Sequence, residues 1–162
     1  MLRRMAKANK HFGWPHVAFG LLAIAGIIDA TILTIEHYTR DGLSCGFTGG
    51  CSRVLTSQYS ELPILGIPVA LLGVVFYAVV LFLVMFSVIN REPIRRLPIL
   101  AWSTIGFVSS LGLTYLQAFV IKAWCQYCLL SALTSTLIFI TAVIYWQKTR
   151  STKQKEEVED EA

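Results

Sequence analysis

Among the chain's 162 residues, the four cysteines are the side chains best suited to chemistry. Cys45 and Cys51 lie close together in Cys45-Gly46-Phe47-Thr48-Gly49-Gly50-Cys51, and Cys125 and Cys128 form the C-x-x-C of Trp124-Cys125-Gln126-Tyr127-Cys128. The thiolate is the attacking species in thiol–disulfide exchange, so a redox-active pair needs surroundings that favour the anion. The C-x-x-C opens a long apolar run. Helical from that point, it sets both thiols in a first turn, beside free N–H groups and the positive end of the dipole, with Lys122 near in sequence. Three glycines between Cys45 and Cys51 give that segment the freedom to bring the Cα atoms within the roughly 4.4–6.8 Å that a disulfide needs. The same freedom could swing Cys51 onto Cys125. Two structural disulfides, or a four-thiolate zinc site, are the other uses to which four cysteines could be put.

The elements that must position them are apolar helices. Hydrophobic residues make up 55% of the chain, charged residues only 15%, and the mean hydropathy is +0.61. Soluble domains carry about a quarter charged residues, so the deficit points to a membrane. Four apolar stretches, 14–36, 66–89, 98–121 and 126–146, are each long enough to cross it, and the last three lack Asp, Glu, Lys and Arg. A hydrocarbon core about 30 Å thick needs roughly 20 helical residues. Continuous rather than alternating apolarity excludes a barrel. The expectation is an all-α four-helix membrane bundle with one long outer loop, 37–65, and a short turn around Lys122. It divides into an N-terminal segment 1–13, a membrane redox domain 14–146 and a charged tail 147–162.

Eleven of the fourteen basic residues flank one side: Arg3, Arg4, Lys7 and Lys10; Arg91, Arg95 and Arg96; Lys148, Arg150, Lys153 and Lys155. The positive-inside rule makes that side, with both termini, cytoplasmic and sets all four cysteines on the outer side of a bacterial inner membrane. The net charge of +4 then reflects topology and not nucleic-acid binding. Glu156, Glu157, Glu159, Asp160 and Glu161 are expected to form a solvated, disordered tail. The first apolar stretch exceeds the about 7–15 residues of a signal-peptide core and is taken as a helix. Gly66, Ala70, Gly73, Gly106, Ser109, Ser110 and Gly112 are expected to let helices approach. Trp14, Trp102, Trp124 and Trp146 are expected as membrane-edge anchors. Asp29, the acid within the first span, is expected to have a polar contact; an intramembrane carboxylate is also a functional candidate. Cys128, one turn deeper than Cys125, is expected to face the bundle interior while Cys125 faces water.

Cys51-Ser52-Arg53-Val54-Leu55-Thr56-Ser57, Gly66-Ile67-Pro68-Val69-Ala70-Leu71-Leu72-Gly73 and Cys125-Gln126-Tyr127-Cys128 together resemble the vitamin K epoxide reductase family, in its bacterial branch. The likeness spans residues 14–146. In the other bacterial family of membrane disulfide oxidases the C-x-x-C comes in the first outer loop, whereas here it opens the fourth helix. The resemblance implies that Cys45 exchanges with a thioredoxin-like outer partner, that Cys51 passes electrons to Cys125, and that Cys128 delivers them to a quinone, ubiquinone or menaquinone. It further implies quinone contacts from Ser57, Leu55, Val69, Leu72 and Ala132. Val69 and Ala132 stand where epoxide-reducing animal members carry Asn and Tyr, which favours plain quinone reduction. The chain ends soon after the fourth span, so the thioredoxin-like partner is expected to be a separate protein.

Overall fold

The computed structural model describes residues 13–39, 50–62, 66–90 and 93–160, with side chains to residue 151. Cys45, Arg40, Arg91 and the basic N-terminal residues lie outside the described residues, so the expectations for them stay as the sequence left them. The described chain is helical, with a single isolated bridge pairing Glu61 and Pro68. We number the helices α1 (Trp14–Thr39), α2 (Cys51–Leu55), α3 (Val69–Ile89), α4 (Arg96–Tyr115) and α5 (Gln126–Asp160); a π-helical turn, Leu116–Ile121, prolongs α4. Four of these elements are long and apolar enough to cross a membrane, and the chain is a multi-pass membrane protein.

The bundle is held by α1 against α3 and α5, and by α4 against α5. In lipid the hydrophobic effect does not drive helix pairing, so close approach and satisfied polar groups must do so. Three of the expected small-residue positions behave this way. Gly73 brings α3 near the Ala30 methyl, Gly106 admits the Phe76 ring, and Ser110 meets Ser135 across α4 and α5 at 2.6 Å. Gly26 of α1, which sequence reading passed over, lies directly under the Tyr77 ring. Tyr77 then donates from its hydroxyl to the Ser131 carbonyl on α5 at 2.8 Å, tying three helices together. At the opposite end, the Tyr145 hydroxyl donates to the Ile94 carbonyl at 3.0 Å, and His16 meets Ser87 at 3.1 Å.

Several expectations need correction. Gly66 lies before α3, in a turn at φ +60 closed by its own N–H on the Leu62 carbonyl at 2.9 Å; Pro68 then caps the helix, which starts at Val69. Gly112 has open space around it. Trp102 is no edge anchor: its indole N–H donates to the Phe76 carbonyl at 3.1 Å and its ring stacks on Phe76. Trp14 and Trp124 are exposed, and Trp146 lies under the Arg150 guanidinium at 5.3 Å. The segment expected as a disordered tail continues α5 to Asp160. Its Lys, Gln and Glu residues, free of Gly and Pro, are good helix formers that prolong a helix already nucleated in the membrane.

Because a Cβ at residue 26 would overlap the Tyr77 ring, Gly26→Ala is expected to destabilise the bundle by about 1–3 kcal/mol. Thermal unfolding of the detergent-solubilised protein checks this, with Gly20→Ala, a site with open space, as the neutral control.

Candidate functional site

The site is built where α2 meets the start of α5. The chain between Lys122 and Gln126 must turn through almost a half circle to send α5 back across the membrane. Lys122 takes the left-handed conformation at φ 52, and the Ala123 N–H returns to the Gln117 carbonyl at 3.2 Å. Gln117 also uses its side chain: the amide oxygen accepts the Cys125 N–H at 3.1 Å, inside the protein. An N–H ahead of a helix is an orphan donor, costly to bury unpaired, and Gln117 satisfies it. Sequence reading missed this residue. Its signal was a lone amide side chain in the otherwise apolar Leu116–Ile121.

Cys125 occupies the position just before α5, where a side chain can cap the helix. Its sulfur accepts the Cys128 N–H at 3.4 Å. The Cys128 thiol, followed by the N–H groups of Cys128 and Tyr127, holds the Cys125 thiol below its ordinary range; burial and the charge of Asp29 oppose this. The expected contribution from Lys122 is not among these causes. Cys125 is fully buried and does not face water as expected, whereas Cys128 is half-buried.

What covers Cys125 is α2. Gly50, immediately before α2, lies so close to the Trp124 backbone that a Cβ there would sit 2.6 Å from its carbonyl oxygen and 2.9 Å from its nitrogen. Cys51, fully buried, shares an apolar cluster with Cys125, Leu33, Val54, Leu55 and Ala123, and Cys128 packs against its edge. The structure thus brings Cys51, Cys125 and Cys128 together at one end of the bundle. Cys51 is disulfide-bonded, while Cys125 and Cys128 are free thiols, so the bridge at Cys51 involves neither of them.

The other expected residues divide. Ser57 and Leu55 line a cavity of about 200 Å³ with Glu36, His37, Ser52, Thr56, Gln58, Ser60 and Glu61. His37 meets Glu61 there at 3.0 Å. The Ser57 hydroxyl donates to the Val54 carbonyl at 2.7 Å, a bond it would have to give up to donate to a quinone oxygen. Val69 starts α3, its N–H on the Ser60 carbonyl at 2.8 Å; Leu72 is exposed; the Ala132 carbonyl accepts Ser135 and Thr136. These three do not line the Ser57 cavity.

Apolar spanning helices that seat a capped dithiol against a second, disulfide-bonded cysteine define a membrane thiol–disulfide oxidoreductase. The sequence of residues 17–143 matches the vitamin K epoxide reductase family, and the chain belongs to it. Membership carries the family's general activity, transfer of electrons between thiols and a quinone in a membrane. No curated protein matched the chain.

Two outcomes follow. With its anion favoured by the Cys128 contacts, reduced Cys125 is expected to react with a small alkylating agent at a midpoint below about 8.5, the ordinary thiol value. Reactivity is present above that midpoint and lost as pH falls through it, as mass spectrometry of samples quenched across a pH series would measure. Gly50→Val, by forcing α2 off the Trp124 backbone, is expected to expose Cys125 and raise its alkylation rate about tenfold or more, the effect of about 1.4 kcal/mol of lost protection.

Proposed function

We propose that the protein reoxidises a separate thioredoxin-like partner outside the cytoplasm and passes the electrons to ubiquinone or menaquinone, so supporting disulfide formation in other proteins. Electrons enter at Cys45, move within the Cys45/Cys51 pair, cross from Cys51 to Cys125, and leave through Cys128. The observation that carries this reading is the burial of Cys51 and Cys125 in one cluster, with Cys128 packed against it. Sulfur must meet sulfur for exchange, and here packing supplies the encounter.

The order of the cysteines follows from their surroundings. Cys125, screened from solvent, is open to attack only by a neighbour seated as Cys51 is. Cys128 is half-buried and, like Ala70, Ile121 and Tyr127, packs against the Cys51–Cys125 cluster, and the apolar surfaces of these part-buried residues fit a lipid-soluble ring. Ser57, Leu55, Val69, Leu72 and Ala132 remain in the proposed quinone-contact set, to which Ala70 and Ile121, packed against the same cluster as Cys128, are added. A quinone, when bound, supplies an acceptor for two electrons and two protons. The chain's part is to hold Cys128 at the lipid boundary, keep water from Cys125, and stabilise the thiolate that Cys125 becomes. The orientation proposed is the one set by the basic residues, with both termini cytoplasmic and the cysteines on the outer side. The division into segment 1–13, redox domain 14–146 and tail 147–162 belongs to the same proposal.

Single Cys→Ala variants test the order in membranes supplied with a reduced thioredoxin-like substrate and quinone. Each is expected to lose quinone reduction by at least about a hundredfold, as removal of a covalent nucleophile does. Cys128→Ala is further expected to accumulate a Cys51–Cys125 disulfide visible by peptide mapping. Full quinone reduction by Cys128→Ala would overturn the assignment.

A further inference from the structure

Buried oxygens and nitrogens in a membrane bundle are hydrogen-bonded almost without exception, because lipid offers no substitute for water. Asp29 departs from this. It is 5% exposed, and neither carboxylate oxygen has a hydrogen-bond partner, contrary to the polar contact expected from the sequence. A buried carboxylate without a partner is costly to keep charged. Such a group is readily retained where the chemistry uses it.

Its place in the fold is specific. Leu33, one turn outward on α1, belongs to the Cys51–Cys125 cluster, while Gly26, about one turn inward, lies under the Tyr77 ring. On α5 the matching levels are Cys128 and, one turn deeper, Ser131, to which Tyr77 is hydrogen-bonded. Asp29 therefore sits between the dithiol and the Tyr77–Ser131 bridge, and its charge acts on Tyr77, Cys125 and Cys128. Tyr77 lies on α3, and the two thiols lie at the start of α5 together with Tyr127, which packs against the same cluster. α2 presents the disulfide-bonded Cys51 and turns Arg53 to solvent; Glu36 and His37 lie about two turns outward on α1 itself. Tyr77 has already committed its hydroxyl proton to Ser131 and does not donate to Asp29.

Resting on the proposed function, we infer that Asp29 is the proton acceptor for Cys128 when the dithiol is oxidised. In that step the Cys128 S–H bond breaks and its proton passes to the Asp29 carboxylate. The Cys125–Cys128 S–S bond forms between the Cys125 thiolate and the Cys128 sulfur, and the electron pair released goes to the quinone. Asp29 then yields its proton towards the quinone oxygens, the second proton coming from the aqueous side, so that the carboxylate is restored and charge balances. The role needs a group that is buried, within electrostatic reach of both sulfurs, and free of any fixed hydrogen bond that would hold its proton. Asp29 meets all three conditions.

The test uses time-resolved infrared difference spectra of the full protein in lipid nanodiscs without quinone, recorded as the reduced dithiol is chemically oxidised. The wild type is expected to show a transient protonated-carboxyl band during oxidation, which decays as the proton is released. Asp29→Asn, which keeps the shape and removes an unpartnered charge, is expected to lose that band, and Asp29→Glu to shift it. With quinone added, Asp29→Asn is expected to slow quinone reduction by about a hundredfold, within the range of general acid–base effects, with rescue by Asp29→Glu. No carboxyl band in the wild type, a band that survives Asp29→Asn, or a wild-type rate in that variant would overturn the inference. The spectrum is read on the wild type, so a variant that fails to fold leaves the test intact. Failure of the proposed function is distinguishable from these outcomes: the wild type itself would then not reduce quinone from a thiol donor.

Discussion

The site depends on one close approach of main chain to main chain. Gly50 rests on the Trp124 backbone, and no residue with a Cβ could do so without moving one of the two. That contact seats the five-residue α2 over the start of α5. A helix this short has little stability of its own, so its position must come from what it packs against. Through Val54 and Leu55 it joins the cluster around Cys125, and Cys51 is carried into the cluster with them. Burial of Cys125 and its nearness to Cys51 are therefore one structural fact. From the other side, Gln117 fixes the turn by holding the Cys125 N–H.

Below that end, the bundle satisfies its polar groups locally. Thr34, Thr104, Thr114, Thr134, Thr136 and Thr141 each return their hydroxyl to the carbonyl four residues back, the habit of hydroxylated residues inside apolar helices. Among the described residues, few side chains reach across, among them Trp102 to Phe76, Tyr77 to Ser131, Ser110 to Ser135, Tyr145 to Ile94 and His16 to Ser87. Such bonds are each worth on the order of 1 kcal/mol in membrane proteins, so packing at Gly26, Gly73 and Gly106 must supply much of the specificity. Against this pattern, both carboxylate oxygens of Asp29 stand without a partner, which is where the inferred proton transfer is set.

How far the sequence could be read follows from the range of the forces involved. Span number and approximate position were legible because continuous apolarity over about 20 residues has few physical solutions in lipid. The helix-start position of the C-x-x-C was legible because it opens the fourth apolar run. Features set by contacts between distant segments were not legible. Cys125 looked water-facing because one helical turn of depth was the only distance the sequence supplied; α2, folding over it from far along the chain, reversed that. Gly66 carries the same small-residue signature as Gly73, yet backbone conformation requires it in one case and helix contact in the other. Trp102 shares its type with the edge tryptophans, but its indole finds the Phe76 carbonyl. The continuation of α5 beyond the membrane was obscured by charge, which argues for solvation without arguing against a helix.

The asymmetry of the C-x-x-C resolves a conflict inherent in any membrane thiol relay. A thiol whose anion is favoured is reactive, and a reactive thiol on the outer face would exchange with every soluble disulfide it met. Exposure and activation together would give speed without selectivity. Here the sulfur that is activated, Cys125, is the one that is enclosed, and the half-buried one, Cys128, is its hydrogen-bond donor. Enclosure costs the anion some stability through desolvation, and the N–H groups at the start of α5, with the Cys128 thiol, offset it. In the proposed relay, selectivity then needs no recognition surface at Cys125 itself. Access through α2 is sufficient, because Cys51 is already inside the cluster and soluble thiols are not.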